Sequence, residues 1–191
     1  IVDTNGGYLV AGGGNGELGG ANGILGDGDG TGADDVFAYG SFNTTKSGVL
    51  VKASTLRTDE GDVFINGHGR IAGGNNFSTG VSVHNGSRII ASSGNINIVG
   101  EAYINKTGTG QMGLNMNNGS IIQTTTDGDI YITVTGSASG DDSSAGIRLV
   151  HDDTQITTHD GSVYIDTESR ATSVFSSNAA FYISSNVNEP I

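Results

Sequence analysis

The alternation of apolar and polar residues predicts a chain made mainly of short β-strands. Val63 and Ile65 flank Phe64, and Val81 and Val83 flank Ser82, so apolar side chains recur at every second position. A period of two places one set of side chains on each face of a strand. Clusters of Gly, Asn, Asp and Ser separate the strands and supply turn residues. Each strand is therefore predicted to bury one face.

The predicted strands recur at a fixed spacing along the chain. One block, Gly-x-Val/Ile-x-Ile, returns at steps of 33, 34 and 33 residues, and two further apolar blocks keep the same period. One repeat therefore contains three short strands and three corners. The first residues of the first block are Gly61, Gly94, Gly128 and Gly161; those of the second are Gly48, Gly80, Gly113 and Gly146; the third block is marked by Leu56, Ile89, Ile122 and Ile156.

A repeat of this kind predicts an all-β parallel β-helix with coils of about 33 residues. A single coil cannot shield its apolar face, but coils stacked about 4.8 Å apart align equivalent side chains into continuous columns. One column should contain Ile65, Ile98, Ile132 and Ile165, and another Val63, Ile96, Ile130 and Val163. At one corner, Asn85, Asn118 and Asp152 are expected to supply the turn.

The regularity of the repeat divides the chain into three parts. Residues 48–169 carry the regular repeats, whereas residues 1–47 are rich in Gly and Asp, and residues 170–191 retain weaker traces. Both end regions are expected to be degenerate coils or caps, because an open stack exposes unpaired strand edges. The alternative is that the native chain continues past both ends. The longer connections 66–79, 99–112 and 133–145 are expected to project from one edge of the stack, where solenoids often bind partners. The alternative is flexible decoration, since these connections are rich in Gly, Ser, Thr and Asn.

The composition of the chain disfavours several classes of function. The chain has 8 basic and 20 acidic side chains and a formal net charge of −12, which disfavours nucleic acid as a partner. It has no cysteine, so disulfides and thiol chemistry are excluded, and this fits large exported bacterial proteins. No apolar run approaches the roughly 18 residues of a membrane span.

An acidic segment near the start is a candidate calcium site. Gly alternates with Asp27 and Asp29, and Asp34 and Asp35 follow, so carboxylate and carbonyl oxygens can surround a hard cation. Thr31 occupies the third ligand position of the EF-hand pattern, and the final acidic ligand is missing. A flexible acidic turn is the alternative. No other cofactor is expected.

Other aspartates are candidates for catalysis. Asp141 and Asp142, Asp152 and Asp153, and Asp160 offer paired carboxylates of the type used in glycosidic cleavage. All of them fall at predicted turns, where Asp is common for backbone reasons. The four histidines share no repeat position and no metal-ligand spacing, and are expected to be solvated. We therefore expect no catalytic residues.

Three aromatic residues occupy the outward position of the first block. Phe64, Tyr131 and Tyr164 are equivalent, and Asn97 replaces the ring in one coil. Tyr131 and Tyr164 are predicted to stack on adjacent coils and to form a surface that contacts a sugar or a protein. The alternative is a purely structural cross-strand pair.

The repeat resembles those of filamentous-haemagglutinin-like exoproteins and other giant bacterial surface proteins. The likeness covers about residues 48–166 and is carried by Gly146-Ile-Arg-Leu-Val, a polar turn, Thr154-Gln-Ile-Thr-Thr and Gly161-Ser-Val-Tyr-Ile. It implies a right-handed parallel β-helix that serves as an extracellular or cell-surface shaft or adhesive stalk. The expected partners are a cell-surface glycan, a protein receptor or copies of the chain itself. The alternative is a carbohydrate-binding or polysaccharide-cleaving β-helix of the tail-spike or lyase type.

Overall fold

The chain folds into three parallel β-sheets that wind around one core. The computed structural model describes residues 1–11, 38–39, 47–69, 78–102, 111–138, 144–171 and 179–184. Every element that these residues form is a β-strand, and all the strand pairs are parallel. A search of the described residues for a helix with the length and apolar character of a membrane span finds none.

Each sheet takes one strand from each successive coil. Sheet A, in spatial order, contains β1 (Val2–Asp3), β5 (Thr55–Thr58), β8 (Arg88–Ala91), β11 (Ile121–Thr124) and β14 (Gln155–Thr157). Sheet B contains β2 (Leu9–Ala11), β6 (Val63–His68), β9 (Ile96–Glu101), β12 (Ile130–Ala138) and β15 (Val163–Ala171), with β3 (Ala38–Tyr39) also paired to β6. Sheet C contains β4 (Ser47–Lys52), β7 (Ser78–His84), β10 (Gln111–Asn117), β13 (Ala145–Val150) and β16 (Ala179–Ser184). The chain runs through sheets C, A and B in turn and then begins the next coil.

The register of the sheets confirms the predicted columns. Ile65 lies beside Ile98, and Ile98 beside Ile132, which in turn pairs with Ile165. The same holds for the column that begins at Val63 and, in sheet A, for the column from Leu56 to Ile156. The chain is therefore a parallel β-solenoid with three-strand coils of about 33 residues. Its right-handed sense stays a prediction.

The core is a narrow apolar spine enclosed by the three sheets. Ile98 from sheet B, Leu114 from sheet C and Ile122 from sheet A are at most 1% exposed. Burial ends at the last coil, where Val163 and Ile165 are 38% and 39% exposed. Among the described residues β15 is the last strand of sheet B, so no further strand covers these two side chains. The predicted spine is thus continuous in register but not equally buried.

A column of glycines forms the corner between sheets A and B. A Cβ atom at Gly94 would overlap the carbonyl oxygen of Gly61, and one at Gly128 would overlap that of Gly94. The same relation holds between Gly161 and Gly128. The close backbone approach explains why the repeat has Gly at this position, which propensity alone does not require.

The corner between sheets C and A varies in length from coil to coil. Asn85 and Asn118 adopt the left-handed conformation, with φ of 58° and 52°, as the sequence predicted. In the next coil the register places His151, not Asp152, opposite Asn118, and His151 has a φ of 70°. An additional residue, Asp153 with φ of 61°, is inserted before the register resumes. Asp152 thus lies in the turn at the predicted corner, but the positive φ values belong to His151 and Asp153 on either side of it.

Side-chain hydroxyl groups donate hydrogen bonds to backbone carbonyl groups at the corners. Ser87 Oγ donates to the carbonyl of His84 at 2.5 Å, and Ser120 Oγ donates to that of Asn117 at 2.6 Å. At the glycine corner, Thr124 Oγ1 donates to the carbonyl of Gly128 at 2.6 Å. Thr58 is fully buried at the position equivalent to Thr124, yet its hydroxyl has no hydrogen-bond partner among the described residues.

We predict that Thr58→Val leaves the free energy of unfolding unchanged or raises it, because a buried hydroxyl without a partner costs free energy. Ala91 occupies the same column and shows that an apolar side chain is accepted there. The matched variant Thr124→Val removes a real hydrogen bond and should lower the free energy of unfolding by about 1 kcal/mol. Urea unfolding of the two variants measures both effects. An equal loss in the two would contradict the assignment.

Candidate functional site

The predicted calcium segment lies outside the described residues. This applies to Asp27, Asp29, Asp34 and Asp35, and also to the pair Asp141 and Asp142. The calcium site therefore stays a prediction. The middle parts of the three longer connections, residues 70–77, 103–110 and 139–143, also lie outside the described residues.

The remaining candidate aspartates do not come together. Asp152 and Asp153 lie at the corner before β14, and Asp160 lies at the corner after it. All three are exposed, and Asp160 Oδ2 is 3.1 Å from His159 Nδ1. Among the described residues, no group of three or more His, Cys, Asp and Glu side chains is placed to hold a metal ion. Strand β14 therefore lies between Asp160 and the adjacent pair Asp152 and Asp153, which the sequence suggested as one group.

The predicted aromatic pair is present on the outer face of sheet B. The rings of Tyr131 and Tyr164 stack with centroids 4.9 Å apart and an interplanar angle of 6°. The two residues are 39% and 52% exposed. Phe64 belongs to the same column but is separated from them by Asn97. Its ring centroid lies 6.4 Å from that of Tyr8. The predicted surface therefore consists of one tyrosine pair and a separate Phe64 contact.

Asp129 holds Tyr131, one member of this tyrosine pair, in position. The Tyr131 hydroxyl donates to Asp129 Oδ2 at 2.9 Å, and the backbone N–H of Ser162 donates to Asp129 Oδ1 at 2.7 Å. The hydrogen bond to the carboxylate raises the pKa of Tyr131 above its usual value. One carboxylate thus ties the ring to the corner of the next coil.

Asp129 is one step of a polar ladder along the glycine corner. Asp62 Oδ1 accepts the backbone N–H of Asn95 at 2.7 Å, and Asn95 Oδ1 accepts that of Asp129 at 2.9 Å. Each side chain therefore caps the backbone of the following coil. No role for these residues was predicted from the sequence, although their spacing of one period was a usable signal.

A second polar group, which the sequence analysis missed, crosses three coils of sheet C. Arg148 Nη1 donates to Asn115 Oδ1 at 3.2 Å, and Asn115 Nδ2 lies 3.2 Å from His84 Nε2. Burial lowers the pKa of His84, and the nearby charges of Lys52 and Arg148 lower it further. The described strands of sheet C contain no Asp or Glu. The expectation that the histidines are simply solvated is thus wrong for His84.

His68 is also partnered. Its Nδ1 atom lies 3.1 Å from Oε2 of Glu101, its neighbour one coil away. This hydrogen bond lowers the pKa of Glu101, although burial acts in the opposite direction, and the charges of His68 and Arg170 contribute to the lowering. The pair lies where sheet B leads into the connection to sheet C, and it ties two successive coils together.

We predict that the His68–Glu101 contact makes the fold sensitive to acid. Because the pKa of Glu101 is lower in the folded chain, its contribution is present above the unfolded-state pKa of about 4.3 and is lost as the pH falls through the folded-state value. Between about pH 5 and pH 3, the free energy of unfolding should therefore fall more in the wild type than in Glu101→Gln. Urea unfolding across this range measures the difference.

Glu168→Gln is the matched control, because Glu168 lies in the same column and pairs with Arg170 at 2.9 Å in open solvent. It should change the acid dependence less than Glu101→Gln does. Identical acid dependence in the wild type and Glu101→Gln would refute the assignment.

Comparison of the chain with models of known families, with curated proteins and with solved structures gives no match.

Proposed function

We propose that this chain is a structural and adhesive segment of a bacterial extracellular or cell-surface repeat protein, of the filamentous-haemagglutinin-like kind. It acts as a rigid shaft that displays the connections on one edge. One observation carries the proposal: equivalent residues of successive coils pair in parallel and in register in all three sheets. An architecture of this kind grows by repetition and presents side chains at a fixed spacing.

The packing supports a rigid rather than a mobile segment. The columns of Ile and Val are fully buried through the middle coils, and the glycine corner leaves no space for a Cβ atom. Side chains such as Asp62 and Asn95 bond the backbone of the next coil. Bending the stack would break several of these interactions at once, so the shaft resists deformation.

Composition and resemblance support the extracellular location. The absence of cysteine suits a chain that is exported unfolded, and the net charge of −12 suits a soluble surface. The repeat that carries the resemblance, from Gly146 to Ile165, corresponds to β13, β14 and β15. The proposed partners are a cell-surface glycan, a protein receptor or copies of the chain.

We predict that antibodies raised against the purified chain label intact cells of the source organism without permeabilisation. Antibodies against a cytoplasmic protein of the same cells are the control for leakage. Fluorescence of intact and permeabilised cells measures the two populations. Labelling that appears only after permeabilisation would refute the proposed location.

A polysaccharide-cleaving β-helix is the second candidate, because exposed aspartates and exposed tyrosines lie on the same solenoid. It requires that Asp141 or Asp152 act in turnover, whereas the shaft needs neither carboxylate. We predict that the chain releases no new reducing ends from a panel of polysaccharides. Reproducible cleavage that is lost in Asp141→Asn or Asp152→Asn, with unchanged melting temperature, would establish the enzyme instead.

A further inference from the structure

The outer face of sheet B carries an aromatic surface with polar groups around it. We use the term tyrosine patch for Asn97, Tyr131, Thr133, Tyr164 and Asp166. The register places Asn97, Tyr131 and Tyr164 in one column, and Thr133 beside Asp166 in the next outward column. Their neighbours Ile96, Ile98, Ile130 and Ile132 are buried, so alternation directs the patch away from the core.

The two stacked residues are partly exposed to solvent. Their centroids are 4.9 Å apart and their planes are nearly parallel. Carbon atoms in contact lie about 3.5–4.0 Å apart, so rings at this centroid distance are offset if they are in contact. An offset pair exposes part of each ring, which agrees with the 39% and 52% exposure of the residues.

The polar groups beside the rings suit hydroxyl-rich ligands. The exposed Thr133 and Asp166 lie two residues beyond Tyr131 and Tyr164 on the same strands, about 6.6 Å from the tyrosines along the strand. A carboxylate accepts hydrogen bonds from hydroxyl groups, and the amide of Asn97 both donates and accepts them. The carboxylate of Asp129 already accepts hydrogen bonds from Tyr131 and Ser162, and it therefore holds the ring in place.

Charge and size restrict the ligand class. The chain carries a net charge of −12, and Asp166 and Glu168 lie on the same face, so an anionic polymer would be repelled. A protein interface is normally about 800 Å² on each partner, and its centre is depleted in acidic residues. Two tyrosines with a carboxylate directly beside them do not fit that description. Sugars offer apolar C–H faces for the rings and hydroxyl groups for the flanks.

We propose that the tyrosine patch binds an uncharged polysaccharide, with sugar rings on Tyr131 and Tyr164 and hydroxyl groups bonded to Asp166 and Asn97. This rests on the proposed adhesive function and names its ligand class. Because the rings repeat along the solenoid axis, the bound chain contacts successive coils.

The test measures binding of the purified full chain to dextran, mannan, galactan and a mixed-linkage β-glucan by isothermal titration calorimetry. Alginate serves as the anionic comparison and chitosan as the cationic one. At least one uncharged polymer should bind, and its affinity should not change between low and high salt. Tyrosine fluorescence gives a second readout, since the chain has 6 Tyr and no Trp.

Variants locate the binding surface. Tyr164→Ala and Tyr131→Ala should each weaken binding by about tenfold, which corresponds to the loss of one stacking contact. Tyr164→Phe should retain binding, because the ring remains. Asp166→Asn keeps the size of the side chain and should weaken binding severalfold. Tyr182→Ala is the matched control, since Tyr182 is 36% exposed on sheet C and should leave affinity unchanged.

Far-ultraviolet circular dichroism and melting temperature establish that each variant is folded; if an alanine variant fails to fold, Tyr164→Phe and Asp166→Asn still test the assignment. The proposal is overturned if none of the uncharged polymers binds, if only chitosan or alginate binds, or if salt abolishes binding. It is also overturned if Tyr182→Ala weakens binding as much as Tyr164→Ala. Surface labelling of intact cells does not depend on these outcomes. The proposed extracellular shaft can therefore hold even if the tyrosine patch binds no polysaccharide.

Discussion

The structure depends on one constraint, the main-chain hydrogen bonding that places each residue beside its counterpart one period away. In-register parallel pairing joins Val81 to Leu114 and Ile65 to Ile98, so side chains of one kind accumulate in one column. For aliphatic residues this is favourable, because each buried side chain covers the next. For glycine it permits backbones to approach more closely than any Cβ would allow. The core, the corners and the outer surfaces all follow from this pairing.

Charged residues follow the opposite rule. Like charges in neighbouring strands are destabilising, and two columns of this chain separate them. Asp62 and Asp129 are separated by Asn95, and Glu101 and Glu168 are separated by Thr135. Repetition is thus relaxed in these two columns, where electrostatics would penalise it.

Most of the fold could be predicted from the sequence, whereas the side-chain contacts could not. The spacing of the Ile65 column determines the strand pairing, and the Asn-Gly corners determine two of the turns. The position of His151 could not be derived, because a single inserted residue at the corner can lie before or after the turn. The Tyr131–Tyr164 stack was predictable since both rings share a column. The group of His84, Asn115 and Arg148 was missed: Asn115 and Arg148 share a column, but His84 contacts Asn115 from the neighbouring column, which the repeat does not reveal.

The glycine corner has a consequence for how such genes change length. Because Gly61, Gly94, Gly128 and Gly161 lie against one another, recombination between repeats is tolerated when the exchanged segments keep these codons in phase. An exchange out of phase would place a side chain against a carbonyl oxygen and disrupt the stack. The corner between sheets C and A, which accepts the additional Asp153, has no such requirement for phase. Lengthening in whole coils is therefore tolerated, and so is one extra residue at either corner of sheet A, since the register also steps from 33 to 34 residues between Thr124 and Ile130.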